Sequence, residues 1–118
     1  MNVFVYGTLM RSERSNYILG QSRYIGKGKL KNYDMYQVAS YPGIVNGTGE
    51  IVGEVYSVNT DMLKVLDRYE CEGRLYIRKL EKIEVENKNM EAFVYVWNGS
   101  VEKSTPIFEM PWNERKFV

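Results

Sequence analysis

Apolar residues along the chain fall into short blocks whose spacing changes from segment to segment. Residues 2–6 form a continuous apolar run after Asn2, the pattern of a short strand buried on both faces. Ser12 is placed to cap a brief helix that carries Tyr17, Ile18 and Leu19 and stops at Gly20. Strand-like segments follow at 23–31 and 34–38. The "YPGIV" of residues 41–45 reads as a turn feeding a short extended piece. In residues 50–58, Ile51, Gly53, Val55 and Ser57 alternate with Val52, Glu54, Tyr56 and Val58, and Gly53 marks a bulge or a close backbone approach.

The period then lengthens. Over residues 60–70, Met62, Leu63, Val65, Leu66 and Tyr69 form one apolar stripe, and Asn59 or Thr60 supplies the cap of an amphipathic helix. Period two returns at 75–86 and 90–97, which read as a hairpin across Asn87-Lys88-Asn89. A tail from Ser104, with Pro106, Pro111 and Trp112, is expected to wrap the surface irregularly. Mostly strands with two modest helices means α+β, and pattern alone leaves barrel closure open. Without repeats, linkers or low-complexity stretches, residues 1–118 are expected to form one domain.

Composition narrows the function classes. The chain has 118 residues, and a domain of that size buries roughly two-thirds of its unfolded surface, enough for a core without staples. Sixteen basic and 15 acidic groups leave a net charge of +1, so no long-range field steers a polyanion and no nucleic-acid partner is expected. The "KGKLK" of residues 27–31 reads as a solvated strand edge. No apolar run approaches the ~18 residues that span a bilayer, and the apolar N-terminus lacks a basic flank, so a first strand and no membrane partner are expected. The sequons at Asn46 and Asn98 then read as turns. A single cysteine, Cys71, cannot form an internal disulfide, which suits a reducing cytoplasm.

The absence of histidine changes the picture most. It removes Ser-His-Asp and Cys-His catalysis and every His-ligated metal site. Proton transfer near neutral pH must use a shifted carboxyl, lysine, tyrosine or cysteine. Glu70 closes the clearest helix, where the partial negative charge of the last turn destabilises a carboxylate by about 0.3–1 kcal/mol. Tyr69 and Tyr76 bracket it and would raise its pKa further by shielding it from water. Those are the conditions of a carboxyl poised as a base. The competing reading is a solvated acid at a frayed helix end, and Asp67, Glu72 and Glu54 are rival carboxylates.

Cys71 lies between Glu70 and Glu72, without the positive neighbours a thiolate needs, and reads as passive. The acids lack the spacing of a calcium loop, and "GKGK" lacks the length and the final Ser or Thr of a phosphate loop, so no metal and no cofactor are expected. The first strand ends in Gly7-Thr8-Leu9 rather than in ordinary turn chemistry. Glycine there permits a positive φ and a close backbone approach, and successive N–H groups on such a bend can hold a carboxylate or phosphate. Leu9 and Met10 would anchor the loop from behind.

Taken together, "VFVYGTLMRSERSN", "GKGKLKNYDMYQV", "YPGIV", "GEVYSV", "LKVLDRYE", "LYIRK" and "AFVYVW" resemble, in order and spacing, the γ-glutamylcyclotransferase family in its small, AIG2-like bacterial branch. The tail after Trp97 matches only through Trp112. The resemblance implies a small mixed β-barrel with short helices packed outside and a cavity near the end of the first strand. It implies release of 5-oxoproline from a γ-glutamyl amine or amino acid, in a protein expected to be a monomer or weak homodimer. It assigns the substrate carboxylate to the loop at Tyr6, Gly7, Thr8 and Leu9, the general acid/base to Glu70, and a pocket position to Tyr76, with Arg78 following. Family members often carry glycine after the glutamate, where Cys71 stands here, and some bacterial members lack the glutamate. The alternative is a non-catalytic module on the same fold that binds a small carboxylate metabolite.

Overall fold

The computed structural model of the chain describes residues 1–116. Five strands close into a ring in the order β3-β1-β5-β4-β2, with β2 returning to β3. The pattern had left that closure open, and the family resemblance implied it. β1 (Asn2–Val5) lies between β3 (Pro42–Ser57), its antiparallel neighbour, and β5 (Lys88–Trp97), which runs parallel to it. Neighbours on both edges and a covered outer face explain its unbroken apolar run: Val3, Phe4 and Val5 are all buried. β4 (Tyr76–Val85) and β5 form the expected hairpin, and β4 meets β2 (Arg23–Gln37) at a single pairing, Lys29 with Glu84.

Several expectations change in detail. Segments 23–31 and 34–38 are one strand, β2, bent by a bulge at Asn32, whose φ is 70°. Likewise 41–45 and 50–58 belong to one strand, β3. Asn46 therefore pairs with Tyr33 inside a strand rather than sitting in a turn. Between the pairs Lys31–Glu50 and Tyr33–Asn46, residues 47–49 stand opposite Asn32 alone. The Asp34 carboxylate fills the space beside the two glycines and accepts the Gly49 N–H at 3.0 Å. A local Asn-Gly signal here marks a bulge because long-range pairing continues past it. Gly53 answers to the second of its two readings: a Cβ there would lie 2.3 Å from the Val5 carbonyl oxygen, and the register runs through it unbroken.

The hairpin turn is Glu86-Asn87, both with positive φ, rather than Asn87-Lys88-Asn89. The first predicted helix is only a 3-10 turn, Asn16–Leu19, preceded by Ser15 rather than capped by Ser12. Ser12 instead donates to the Glu13 carboxylate. One α-helix remains among the described residues, α1 (Thr60–Tyr69), capped by Asn59 Oδ1 accepting the Met62 N–H, with Leu63 and Leu66 in the core. The tail is not wholly irregular: β6 (Thr105–Ile107) adds to the end of β2, and Trp112 is buried and donates to Gln37. Residues 117 and 118 of the expected tail and domain lie outside the described residues. No helix among the described residues is long and apolar enough to cross a membrane.

Candidate active site

A cavity of about 270 Å³ opens where β1 ends. Three chain segments that are distant in sequence converge there: residues 4–9 from β1 and its loop, residues 40–42 at the start of β3, and residues 69–76 between α1 and β4. Tyr6, Gly7, Thr8, Leu9, Glu70 and Tyr76, the six residues singled out from the sequence, all line it.

The loop is anchored as its sequence suggests. Leu9 and Met10 are both 3% exposed and belong to the core cluster. Gly7 lacks the positive φ that was one of its two readings; the positive-φ glycines among the described residues are Gly20 and Gly73. A Cβ on Gly7 would lie 2.7 Å from Cγ of Pro42, so glycine is needed because the Pro42 ring packs against the bend. Carbonyls of the loop are used internally: Met10 N–H donates to Gly7 O, Ser15 N–H to Thr8 O and Asn16 Nδ2 to Leu9 O. The N–H groups of Gly7, Thr8 and Leu9 have no acceptor among the described residues. Three adjacent donors on one bend are a cradle for an anion.

Glu70 follows α1 as its C-cap, still with helical dihedrals (φ −84°, ψ −3°). Its carboxylate has no hydrogen-bond or ion-pair partner among the described residues, and burial raises its pKa to about 7. The chain leaves the helix through Cys71 at φ 52°, a left-handed conformation that glycine adopts without strain. The rival carboxylates are occupied elsewhere. Asp67 accepts from Arg78 at 2.6 Å and from the Tyr95 hydroxyl at 2.8 Å. Glu54 accepts from the Arg11 N–H and from Tyr56, and Glu72 from the Arg78 N–H.

Aromatic walls complete the cavity. Tyr6 donates to Tyr95 O at 2.6 Å and Tyr76 to Pro42 O at 2.7 Å, so both hydroxyl protons are committed to carbonyls. Burial, reinforced by the Glu70 charge, pushes both phenols above their ordinary pKa, and they stay protonated donors. Tyr69 is more than an apolar shield. Its hydroxyl hydrogen-bonds Thr8 Oγ1 at 2.7 Å and donates to Ser15 Oγ at 2.8 Å, pinning the β1 loop to the end of α1. Arg78 is not in the cavity; it packs over Phe93 and pairs with Asp67.

Arg14, Ser40, Tyr41, Pro42, Leu75 and Tyr95 also line the cavity and had carried no chemical assignment. "YPG" was visible as a turn, but nothing local placed that turn against Gly7. Arg14 lay in a polar stretch with no periodic signal.

The family model for γ-glutamyl cyclotransferase, AIG2-like, matches residues 3–114. The "Gamma-glutamylcyclotransferase family protein YtfP" of Escherichia coli is 30% identical over 115 residues, covering 98% of each chain. Its solution structure superposes with a TM-score of 0.72, covering 98% of this chain and 99% of that one. "Gamma-glutamylaminecyclotransferase A" of Danio rerio is 32% identical over 126 residues, covering 95% of this chain and 73% of that protein. An AIG2-like protein of Mus musculus, 21% identical, shares the fold with a TM-score of 0.85, covering 95% of this chain and 87% of that one.

Proposed function

The chain belongs to the γ-glutamyl cyclotransferase, AIG2-like family, and from that premise we propose that it cleaves a γ-glutamyl amine or γ-glutamyl amino acid, releasing 5-oxoproline and the free amine, with Glu70 as general acid/base. The observation that carries the reading is the pairing, in one cavity, of an unpartnered carboxyl with a pKa near 7 and the unpartnered N–H run of Gly7, Thr8 and Leu9.

The substrate contains its own nucleophile, so the absence of histidine and of an activated thiol is no obstacle. Its α-carboxylate sits on the Gly7–Leu9 amides, which places the α-ammonium on the same carbon within reach of Glu70. Ionised Glu70 takes a proton from the ammonium, and the freed amine attacks the γ-carbonyl to close a five-membered ring. The bond from the γ-carbon to the leaving nitrogen then breaks as Glu70 returns the proton to that nitrogen. Over the cycle two protons pass from the α-nitrogen to the departing amine, and no water is consumed. Holding the two ends of one chain in this geometry is worth about 7–11 kcal/mol of barrier in favourable intramolecular cases. A carboxyl with a pKa near 7 is matched to both proton transfers at neutral pH, help that typically contributes about 10²–10⁴-fold. Tyr6, Tyr76 and Tyr95 direct their hydroxyl protons to protein acceptors, so these three hydroxyls are not the donors for the developing oxyanion.

Incubation with a panel of γ-glutamyl amines and amino acids, with 5-oxoproline as the readout, tests the assignment. Turnover by the native protein and its loss in folded Glu70→Gln is the expected result. Full turnover in Glu70→Gln removes Glu70 from the mechanism, and no turnover across the panel removes the reaction.

A further inference from the structure

We propose that Arg14 forms a second anion subsite in this cavity, one that receives a carboxylate carried by the leaving amine, so that γ-glutamyl amino acids are bound in preference to γ-glutamyl amines. The inference rests on the reading above for where the γ-glutamyl part lies. Arg14 supplies the one cationic side chain among the described residues lining the cavity. With an ion-pair side-chain exposure of 44% it stands at the mouth rather than the floor, and its Nη2 donates to Ser40 O at 3.5 Å across the opening.

A γ-glutamyl amino acid brings two carboxylates, and the chemistry separates them. The α-carboxylate shares a carbon with the amine that Glu70 must deprotonate, so it belongs at the Gly7–Leu9 end. The second lies beyond the scissile bond, on the leaving side, and needs another donor. Arg14 already demonstrates its preference: its Nη1 is ion-paired with the Glu114 carboxylate. That carboxylate comes from the C-terminal 3-10 turn Glu114–Lys116, which is held beside Arg14 by the Glu114 N–H donating to Glu13 Oε1 at 3.1 Å. Glu114 thus occupies the guanidinium in the free protein, and a substrate carboxylate exchanges with it. A planar guanidinium suits such exchange, since its fork matches any carboxylate it meets.

The test is a binding titration on Glu70→Gln protein, in which turnover should be slowed at least about 100-fold and is checked by the absence of 5-oxoproline over the titration, using γ-glutamyl-alanine and γ-glutamyl-ethylamide, which differ by one carboxylate. Tighter binding of γ-glutamyl-alanine is expected. Adding Arg14→Ala should weaken it about tenfold more than γ-glutamyl-ethylamide. Arg14→Lys should recover part of that difference, and Glu114→Gln should tighten γ-glutamyl-alanine selectively by removing the competitor. Equal weakening of both ligands by Arg14→Ala, or equal affinity of both for the Glu70→Gln parent, overturns the proposal. Because binding is read without turnover, failure of the 5-oxoproline assay with intact carboxylate discrimination would reject the reaction and leave the subsite standing.

Discussion

The two halves of the site are built by opposite means. The β1 loop works through its backbone. Gly7, Thr8 and Leu9 present N–H groups while Leu9 and Met10 are sunk in the core, so the donors are fixed by burial of neighbours rather than by rotamers. The α1 end works through one side chain. Glu70 has no partner to hold or neutralise it, and it follows a helix whose exit requires a left-handed residue. A rigid half can fix a charge that is always present. An unpartnered carboxyl in a desolvated place can exchange a proton near neutral pH. Tyr69 joins the halves, since its hydroxyl reaches Thr8 and Ser15 from the residue next to Glu70.

Five substitutions separate the two halves, in order of expected effect. Glu70→Gln keeps the shape and removes the proton acceptor, so kcat/KM for 5-oxoproline release should fall by at least about 100-fold, with a melting temperature no lower than that of the native protein. Gly7→Ala strikes the other half. Its Cβ would meet Pro42 Cγ at 2.7 Å, and overpacking of this kind costs about 1–3 kcal/mol. Chemical denaturation should register that loss, with a rise in KM as the loop shifts.

Tyr69→Phe cuts the bridge between the halves. The loss of hydrogen bonding should cost about 1 kcal/mol by denaturation, and it should lower kcat through misplacement of Glu70 relative to the loop. Thr8→Ala removes only one of the two contacts and leaves the loop N–H groups in place, so its kinetic effect should be smaller; a larger one would mean that the hydroxyl itself meets substrate. Cys71→Gly should do the reverse of damage. Relief of the left-handed strain, partly offset by the greater freedom of glycine in the unfolded chain, should raise stability by roughly 0.5 kcal/mol, with kcat/KM within twofold.

The difference between the halves also accounts for what could be read in advance. Glu70 was legible as a candidate because the helix stripe ends beside it, a local signal, whereas its choice over Asp67, Glu72 and Glu54 and the pocket position of Tyr76 came from the family resemblance. Gly7 was legible as a special position, but its cause, the approach of Pro42, is a contact between β1 and β3 that no local pattern contains. The merging of 41–45 with 50–58 into β3 was hidden by "NGTG", whose turn signal is strong until Asp34 on the neighbouring strand fills the bulge. Tyr95 alternates correctly on β5, yet its hydroxyl reaches Asp67 only because the barrel closes β5 beside α1. Arg14 had no signal at all, because its place at the cavity mouth depends on a 3-10 turn and on a C-terminal turn a hundred residues away. Ring closure converts short-range pattern into the site, and that conversion is tertiary.

The ionisation of Glu70 near neutrality carries the account, and it can be measured directly. Burial raises the carboxyl from 4.5 to about 7, so the group is mostly neutral below that pH and becomes a base above it. With carboxyl-labelled glutamate, the one resonance lost in Glu70→Gln should titrate near pH 7. In the native protein kcat/KM should climb about tenfold per pH unit below that value and level off above it. A Glu70 resonance titrating near 4.5, or a rate that crosses pH 7 without a break, would contradict the assignment of Glu70 as the base.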